Sequence, residues 1–369
     1  MGMGFPPQLA GVTVNTTGLR GIVANERADL VIAVRAGTPL QDVATLLSSQ
    51  GQFVPFDAPR PQYATLGGTL AAGWLGPRRH IYGRPRDYLI GSTTVLADGT
   101  IARAGGMVVK NVAGYDMSRL YVGSFGTLGI MVQANLKTIP APAQTRLFLA
   151  SLPERTLERA CTHVASLNIP PAAAFWIDGF NRTIAGEPGD EGRMLVLLEG
   201  SQSVLERATL AVRSALGRAG VPNTRIVDAG AREAFERIVD AYIACLGDRS
   251  VTYRFNVAPA DALHRARAAQ AFAHRLKLKS EAIVDVMNGD VVLRVRARDA
   301  QTLGAAVETF DERLHEIEPR AQIIASNHPH REHLRVWGVD PPAVEYMRSL
   351  KARFDPKGTL NPGRFVGGI

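Results

Sequence analysis

The stretch from Tyr63 to Gly73 reads Tyr-Ala-Thr-Leu-Gly-Gly-Thr-Leu-Ala-Ala-Gly, and it carries no charge and almost no side-chain bulk. Its three glycines and three alanines would let backbone N–H groups approach a ligand closely. Successive amides of this kind form a concavity that suits phosphate. Taken alone, the stretch is equally compatible with a tight turn from a strand into a helix, in which glycine supplies only a positive φ.

Three further segments follow in order. Lys110 to Leu120 reads Lys-Asn-Val-Ala-Gly-Tyr-Asp-Met-Ser-Arg-Leu, and Gly123 to Ile130 reads Gly-Ser-Phe-Gly-Thr-Leu-Gly-Ile. Near the C-terminus, Leu350-Lys351-Ala352-Arg353-Phe354-Asp355-Pro356-Lys357-Gly358 precedes Asn361-Pro362-Gly363-Arg364. Together these segments resemble the FAD-binding domain of the vanillyl-alcohol-oxidase superfamily, the PCMH-type flavoproteins. Within that superfamily they are similar to the FAD-binding subunits of bacterial glycolate oxidases.

The resemblance implies an α+β fold in which a PCMH-type FAD-binding domain carries a cap. We expect an N-terminally shortened FAD-binding domain over residues 1–142, a cap or substrate domain over 143–339, and a segment over 340–369 that returns to the first domain. The residues themselves predict two strand–helix–strand–strand–helix runs, which begin at Leu147 and Val251. A helix over Arg232 to Leu246 joins them. Such a repeat is typical of a ferredoxin-like cap.

The resemblance also implies FAD as the cofactor. The attachment should be non-covalent, because no cysteine lies in the motifs and the first loop, a common place for a linking histidine, is absent. The backbone of Leu66, Gly67, Gly68 and Thr69 is expected to meet the pyrophosphate, with the hydroxyls of Thr65 and Thr69, while Ala72 and Gly73 leave room for the isoalloxazine. The remaining expected contacts are Gly126, Thr127, Leu128, Gly129 and Ile130 for adenine and ribose, and Asn111, Gly114 and Asn361 near the flavin.

In the resembled family a helix, a strand and a first glycine-rich loop precede the point at which this sequence begins. That loop holds the pyrophosphate from the other side. Two interpretations follow: the true start lies upstream, or half of the phosphate contacts are lost and FAD binds weakly or only within a complex.

Composition narrows the possible classes of protein. The 369 residues and 46% hydrophobic content suffice for two domains with cores. No apolar run is long enough to cross a membrane and no signal segment is visible, which predicts a cytoplasmic protein, or one peripheral to the inner membrane through its complex. The net charge is +8, but the sequence shows no recognised nucleic-acid-binding module, so the charge alone does not indicate nucleic-acid binding. Cys161 and Cys245 are expected to be buried free thiols.

One basic cluster, formed by Arg78, Arg79, His80, Arg84 and Arg86, follows the glycine-rich stretch. A solvated loop, a dock for an acidic partner and steering of an anionic substrate all remain open.

Local patterns predict several elements of the first domain. Leu30 to Ala36 is expected to form a buried strand. A helix should follow to Ser49, with Thr38 as its N-cap and Pro39 at its first position. Asp98-Gly99 between two apolar runs predicts a hairpin with a type I′ turn. Asp87 and Asp116 are expected to cap backbone N–H groups rather than to act as catalytic acids.

Oxidation of a 2-hydroxy acid needs a base for the hydroxyl proton, cations for the carboxylate, and flavin N5 as hydride acceptor. Related dehydrogenases use cap histidines and a metal-binding pair near a Glu-His-Gly segment. This chain offers His328 there, without that segment, and its His328, His330 and His333 do not follow a recognised chelating pattern, so no metal is expected. His328 and Arg254 are the candidate catalytic residues.

The resemblance implies the FAD-binding subunit of a glycolate oxidase, which converts glycolate to glyoxylate beside a catalytic FAD subunit and an iron–sulfur subunit. The alternatives are a stand-alone FAD-dependent D-2-hydroxy-acid dehydrogenase and a flavin-free or weakly binding structural subunit. The missing Glu-His-Gly segment argues against the former, and the shortened start favours the latter. Neither a nucleic acid nor a transmembrane segment is expected.

Overall fold

The computed structural model describes residues 3–5, 11–108, 115–180, 192–221, 223–243, 250–297, 303–327 and 333–369. The chain forms two compact units. Gly4–Ala141 and Asp340–Ile369 form one, which we call the composite unit. Pro142–Val339, with Met1–Met3, form the other, which we call the inserted unit.

An antiparallel five-stranded sheet forms the core of the composite unit, with strand order β1-β2-β6-β4-β5. Its strands are β1 (Ile22–Glu26), β2 (Val31–Arg35), β4 (Leu89–Val95), β5 (Ile101–Gly105) and β6 (Ile130–Lys137), while β3 (Gln52–Phe53) pairs with β7 (Ile139–Pro140). The predicted strand at residues 30–36 is confirmed as β2, whose first four residues are buried.

Short helices accompany this sheet: α1 (Leu40–Ser48), α2 (Leu66–Ala72), α3 (Arg79–Tyr82), α4 (Pro85–Tyr88), α5 (Met117–Tyr121) and α11 (Val344–Phe354). Helix α1 buries Leu40, Val43 and Leu47, which share one helical face. Its predicted cap is wrong, because Pro39 occupies the N-cap position and the Thr38 hydroxyl instead accepts a hydrogen bond from Gly21 N at 3.0 Å.

The predicted hairpin is present between β4 and β5, but its turn differs from the prediction. Only Gly99 has a positive φ, +87°, while a type I′ turn needs two such residues. Gly99 N donates to Leu96 O at 3.0 Å, and the Asp98 carboxylate accepts from Thr100 N at 2.9 Å. The aspartate therefore holds the turn by a side-chain bond and does not take up a left-handed conformation.

The inserted unit contains one antiparallel eight-stranded sheet, with order β11-β8-β10-β9-β13-β14-β12-β15. Its first half is β8 (Gln144–Ser151), α6 (Glu154–Ala165), β9 (Ala173–Asp178), β10 (Arg193–Gly200), α7 (Gln202–Arg218) and β11 (Arg225–Val227). After α8 (Ala231–Ala241) comes the second half: β12 (Ser250–Asn256), α9 (Pro259–Arg275), β13 (Lys279–Asp285), β14 (Asp290–Arg296), α10 (Leu303–Ile317) and β15 (Gln322–Ser326).

Each half is thus a βαββαβ unit. Across the sheet, the four strands of the second half stand in the reverse of the order that the corresponding strands have in the first half. The two halves join where β9 pairs with β13. This topology confirms the predicted ferredoxin-like repeat and the α+β class. Within the described residues, no helix is long and apolar enough to cross a bilayer.

The cysteine prediction is confirmed for Cys161, which is a buried free thiol on α6. Burial raises the pKa of this thiol to about 12. Cys245 lies outside the described residues.

Candidate cofactor site

The glycine-rich stretch 63–73 folds mainly as helix α2, and its first turn is closed by internal hydrogen bonds. Gly68 N donates to the Thr65 hydroxyl at 3.2 Å, which makes Thr65 the N-cap. Leu66 N donates to Thr38 O at 2.9 Å, Gly67 N to Ala36 O at 2.7 Å, and Thr69 N to Thr65 O at 2.9 Å. All four amides therefore have acceptors within the chain. The contact of these amides with the pyrophosphate stays a prediction, and it would require them to exchange or share these acceptors.

Glycine is nevertheless needed at the start of α2, for packing. A Cβ on Gly67 would lie 2.6 Å from the Cβ of Ala36 at the end of β2, so the helix could not approach the sheet as closely. Gly68 is exposed, and a Cβ there would meet only the Thr65 hydroxyl oxygen, at 2.9 Å. The Thr69 hydroxyl is buried and has no partner among the described residues.

The end of α2 contacts the second glycine-rich segment, residues 123–129. Gly73 caps the helix with φ +60°, and a Cβ on it would lie 2.8 Å from the Gly123 Cα. Gly123 N donates to Leu70 O at 2.9 Å, and Phe125 N donates to Ala71 O at 2.8 Å. The structure therefore brings together the two stretches that the sequence singled out.

Unlike the first turn of α2, the 123–129 loop offers unused amides. Within the described part of the chain, the N–H groups of Gly126, Leu128 and Gly129 have no acceptor. Phe125 and Gly126 both have positive φ, +54° and +70°. A bulky residue rarely adopts this conformation, and such strain is common where a chain is shaped for a ligand. Ile130 follows the loop as the first residue of β6.

Asn361, a predicted site residue, fixes this loop from the C-terminal segment. Its side-chain Nδ2 donates to Phe125 O at 2.6 Å, and its own φ is +48°. A Cβ on Gly126 would lie 2.9 Å from that Nδ2. The Phe125 ring also lies against Phe365, with 5.6 Å between the ring centroids. A side chain at position 126 would displace Asn361, which holds Phe125 in its strained conformation.

Lys351 on α11 is a second anchor; it belongs to the C-terminal motif, but the sequence analysis gave it no role. Its Nζ donates to Thr127 O at 2.9 Å, to Leu360 O at 2.8 Å, and to the Asp355 carboxylate at 2.5 Å. Thr127 lies 224 positions away in the sequence, so no local pattern could have indicated this contact. The ammonium ties the loop to the C-terminal segment.

Asp355 is the counter-charge of this anchor. Its buried carboxylate also accepts hydrogen bonds from Leu360 N at 2.7 Å and from the Thr359 N and hydroxyl at 3.0 and 2.9 Å. Burial raises the pKa of Asp355, but the bonds from Lys351 and the two amides outweigh it and bring the pKa down to about 2. The carboxylate is thus ionised at neutral pH.

The predicted catalytic pair is only partly visible. His328 lies outside the described residues, as do the expected flavin contacts Asn111 and Gly114. Arg254 lies on β12 and pairs with Asp290, with 2.6 Å between Nη2 and Oδ2. Burial lowers the pKa of Arg254, but the charges of Asp290 and its neighbours outweigh this effect and raise it. Arg254 is therefore charged, and the carboxylate of Asp290 already balances its charge.

The residues of the basic cluster differ in how far they are exposed to solvent. Arg78 is buried and ion-paired, with 2.7 Å between its Nη2 and Asp57 Oδ1, so it belongs to the interior. Arg84 and Arg86 are exposed. Asp87 accepts a hydrogen bond from Arg84 N at 2.8 Å. Asp116 likewise accepts from Arg119 N at 3.3 Å, so the capping roles expected for both aspartates are confirmed.

These residues fit FAD. The loop supplies three backbone donors without acceptors, Gly126, Leu128 and Gly129, which suits the ribose, the adenine and the phosphate oxygens. The unpaired Thr69 hydroxyl adds a donor. The small residues Ala72 and Gly73 keep the end of α2 free of bulk. Thr65 and Leu66 to Gly68 would act by holding α2 in place.

Comparisons with known proteins point to the same group of flavoproteins. Residues 2–117 match the model of an FAD binding domain, and residues 335–365 match that of the C-terminal domain of FAD linked oxidases. The chain is 29% identical over 360 residues to the glycolate oxidase subunit GlcE of Escherichia coli (strain K12), covering 96% of this chain and 87% of that one.

It is 26% identical over 389 residues to the glycolate oxidase subunit GlcD of Bacillus subtilis (strain 168), covering 98% of this chain and 80% of that one. A D-lactate dehydrogenase of Anaerostipes hadrus is 38% identical over 36% of this chain and 28% of its own length. Among solved structures, p-cresol methylhydroxylase with bound substrate superposes with a TM-score of 0.68 at 14% identity, over 94% of this chain and 78% of that one.

Proposed function

We propose that this chain, which matches the models of an FAD binding domain and of the C-terminal domain of FAD linked oxidases, oxidises a small 2-hydroxy acid as a subunit of a glycolate-oxidase-type complex. The observation that carries the proposal is the 123–129 loop, whose three unused amides are anchored by Asn361 and Lys351. The similarity to glycolate oxidase subunits over nearly the whole chain supports glycolate as the substrate.

FAD, when bound, accepts a hydride from the α-carbon of the hydroxy acid. The composite unit contributes the binding groups. Gly126, Leu128 and Gly129 would donate backbone hydrogen bonds to the cofactor, Thr69 would add its hydroxyl, and α2 keeps its C-terminal end free of bulk. No cysteine lies in these segments, in keeping with our proposal that FAD is held without a covalent bond.

We keep Arg254 and His328 as proposed catalytic residues, with His328 as the proposed base for the hydroxyl proton. The ion pair between Arg254 and Asp290 favours an orienting role for that arginine, because its charge is already balanced. Residues 143–339 would then serve as the cap.

The proposed partners are a catalytic FAD subunit and an iron–sulfur subunit. Two of the relatives are named as glycolate oxidase subunits, which supports an assembly of several chains. We propose that the complex is cytoplasmic or peripheral to the inner membrane.

Reduction of an artificial electron acceptor by glycolate tests this function. The purified chain is assayed alone and after co-expression with the products of its neighbouring genes. We expect glycolate-dependent reduction in the co-expressed preparation, which depends on this chain and on FAD. The proposal would be contradicted by a preparation that contains FAD and all subunits but in which none of the small 2-hydroxy acids supports reduction of the acceptor.

A further inference from the structure

Helix α11 lies on the surface of the composite unit, with one face toward that unit and the other toward solvent. On the inner face, Lys351 Nζ donates to Thr127 O, and the ring of Phe354 lies 6.3 Å from that of Tyr121. The structure describes all eleven residues of the helix, and none of them is buried. The outer face is therefore free to meet another molecule.

The outer face of α11 carries an exposed aromatic and aliphatic pair. Tyr346 and Leu350 are four positions apart, so they are neighbours on the same side of the helix. Tyr346 is 77% exposed and Leu350 is 36% exposed. Arg353 continues the same row, and it is exposed as well. Large apolar side chains that are exposed side by side are typical of a surface that binds another protein.

Two positive charges at the end of α11 are not balanced. In the segment 344–358 both acidic residues are paired, Glu345 with Arg348 and Asp355 with Lys351. The exposed side chains of Arg353 and Lys357 form no ion pair or hydrogen bond within the described part of the chain. These two cations are thus available to carboxylates from outside the chain.

A pocket of about 310 Å³ opens between the end of α11 and the turn of the β4–β5 hairpin. Leu96 and Ala97 line it from the hairpin, and Phe354 lines it from the helix. The two unpaired cations, Arg353 and Lys357, line the same pocket. Its volume is near the lower end of the range for ligand pockets, about 300–1,000 Å³, which is enough for one large side chain.

The acidic residues of this pocket do not cancel its positive charge. Asp98 lines it from the hairpin, where its carboxylate accepts a hydrogen bond from Thr100 N. The carboxylate of Asp355 is already matched by Lys351. Two unpaired cations therefore stand against one carboxylate. A pocket with apolar walls and a net positive charge is complementary to an apolar side chain that is flanked by carboxylates.

We propose that Tyr346, Leu350, Arg353 and Lys357, with the adjoining pocket, bind an acidic segment of a partner subunit. We call these residues and the pocket the α11 surface. One large apolar side chain of the segment enters the pocket, and its carboxylates pair with the two cations. The inference rests on the proposed function, in which the chain works within a complex. A second copy that presented the same surface would be repelled by its like charge.

The test begins with co-expression of the tagged chain and the products of its neighbouring genes. The FAD-containing complex is isolated and its mass is measured by size-exclusion chromatography with light scattering. The affinity of each co-purified partner is then measured by surface plasmon resonance. The variants are Leu350→Asp, the charge-reversed pair Arg353→Glu with Lys357→Glu, and Ala97→Trp, which fills the pocket.

The matched controls lie on α7 of the inserted unit. Leu210→Asp changes an apolar residue that is 67% exposed. Arg207→Glu with Arg213→Glu reverses two exposed charges, three positions to either side of that leucine. The controls thus add the same charges to another helix of the same chain.

We expect the unaltered chain to bind a partner subunit, with an affinity that falls as the salt concentration rises. Leu350→Asp and Ala97→Trp should each weaken binding about tenfold, and the charge-reversed pair about a hundredfold, while both controls leave it unchanged. The variants at the exposed positions 350, 353 and 357 should keep their FAD content and melting temperature. They therefore decide the outcome even if Ala97→Trp does not fold.

Cross-linking with a carbodiimide, which joins an amine to a carboxylate in direct contact, identifies the occupant. It should link Lys357 to an aspartate or glutamate of the partner subunit. A link from Lys357 to a second copy of this chain would overturn the inference, because the α11 surface would then be a contact between identical chains.

Further results separate this inference from the proposed function. If assembly depends on the α11 surface but the complex oxidises no hydroxy acid, the inference stands and the proposed function is wrong. If glycolate is oxidised by complexes that all the α11 variants form as the unaltered chain does, the proposed function stands and the inference is overturned. Controls that weaken the complex as much as the matched variants, or an unaltered chain that binds no partner, would also overturn the inference.

Discussion

The two glycine-rich segments of the composite unit look alike in sequence but differ in what their backbones do. In α2 the first-turn amides are bonded to Thr65, Thr38 and Ala36, and glycine allows the helix to pack on the sheet. In the 123–129 loop the amides of Gly126, Leu128 and Gly129 are unused. Glycine content alone therefore does not locate a phosphate site; the destination of each N–H group does.

The largest expected effect comes from bulk in the loop. Gly126→Val forces a β-branched residue into φ +70° and against Asn361 Nδ2. Backbone strain of about 1–2 kcal/mol and the loss of a hydrogen bond worth about 1 kcal/mol correspond to roughly a hundredfold weaker FAD binding, measured by quenching of flavin fluorescence.

The matched control for that variant is Gly99→Val. Gly99 has a similar φ of +87°, but a Cβ there meets nothing within 4 Å. It should cost stability through strain and leave FAD affinity unchanged. Equal FAD affinity in the two variants would remove the distinction between the loop and an ordinary turn.

The second effect concerns the anchor of the loop. Lys351→Met leaves Thr127 O without its donor and the buried Asp355 carboxylate without its counter-charge. We expect a loss of about 3 kcal/mol in the free energy of unfolding and about tenfold weaker FAD binding.

The double variant Lys351→Met with Asp355→Asn separates these effects. Removing the carboxylate's charge should restore much of the stability, measured by thermal unfolding, but not the FAD affinity, because the loop stays without its anchor. If the single variant binds FAD as the unaltered chain does, Lys351 does not position the loop.

The third effect is acid sensitivity. The pKa of Asp355 in the fold is about 2, below its ordinary value of 3.8, so the ionised carboxylate stabilises the folded chain above about pH 4. This contribution, about 2 kcal/mol, is lost as the pH falls from about 4 to about 2. Chemical denaturation at a series of pH values should show this loss in the unaltered chain and a shallower dependence in Asp355→Asn. Parallel curves would contradict the low pKa.

The smallest effect is expected in α2. Thr65→Val removes the N-cap and should cost about 1 kcal/mol of stability. FAD affinity should change less than in Gly126→Val or in Lys351→Met. Thr65→Ser, which keeps the hydroxyl, should restore the stability. A loss of FAD affinity as large as that of Gly126→Val would mean that α2, not the loop, holds the phosphates.

Local sequence patterns predicted the elements of the fold well. Alternating or continuous apolar runs gave the strands, and repeated element order gave the two halves of the inserted unit. The failures have local causes: Thr38 bonds back to Gly21 instead of capping α1, and the residues of α2 were interpreted as a loop because glycine masks a helix whose packing needs it. The Thr65 N-cap was a signal for the helix that was not used.

The site was less predictable, because its bonds join distant residues. The order of motifs indicated the 123–129 loop and Asn361, but not the role of Lys351, whose bond to Thr127 depends on how α11 packs. In the inserted unit, the polar residues Ser250, Thr252 and Arg254 alternate along one strand, a pattern visible in the sequence. Which residues they face could be known only from the register with β14, in which Thr252 pairs with Arg294.

The most direct test of the central claim is the visible absorption spectrum of the purified chain after incubation with excess FAD and removal of the free cofactor. The loop with its three unused amides predicts flavin bands that correspond to stoichiometric FAD, and loss of these bands in Gly126→Val but not in Gly99→Val. A folded chain that stays colourless, alone and in complex with its partners, would contradict the assignment of this loop as the FAD site.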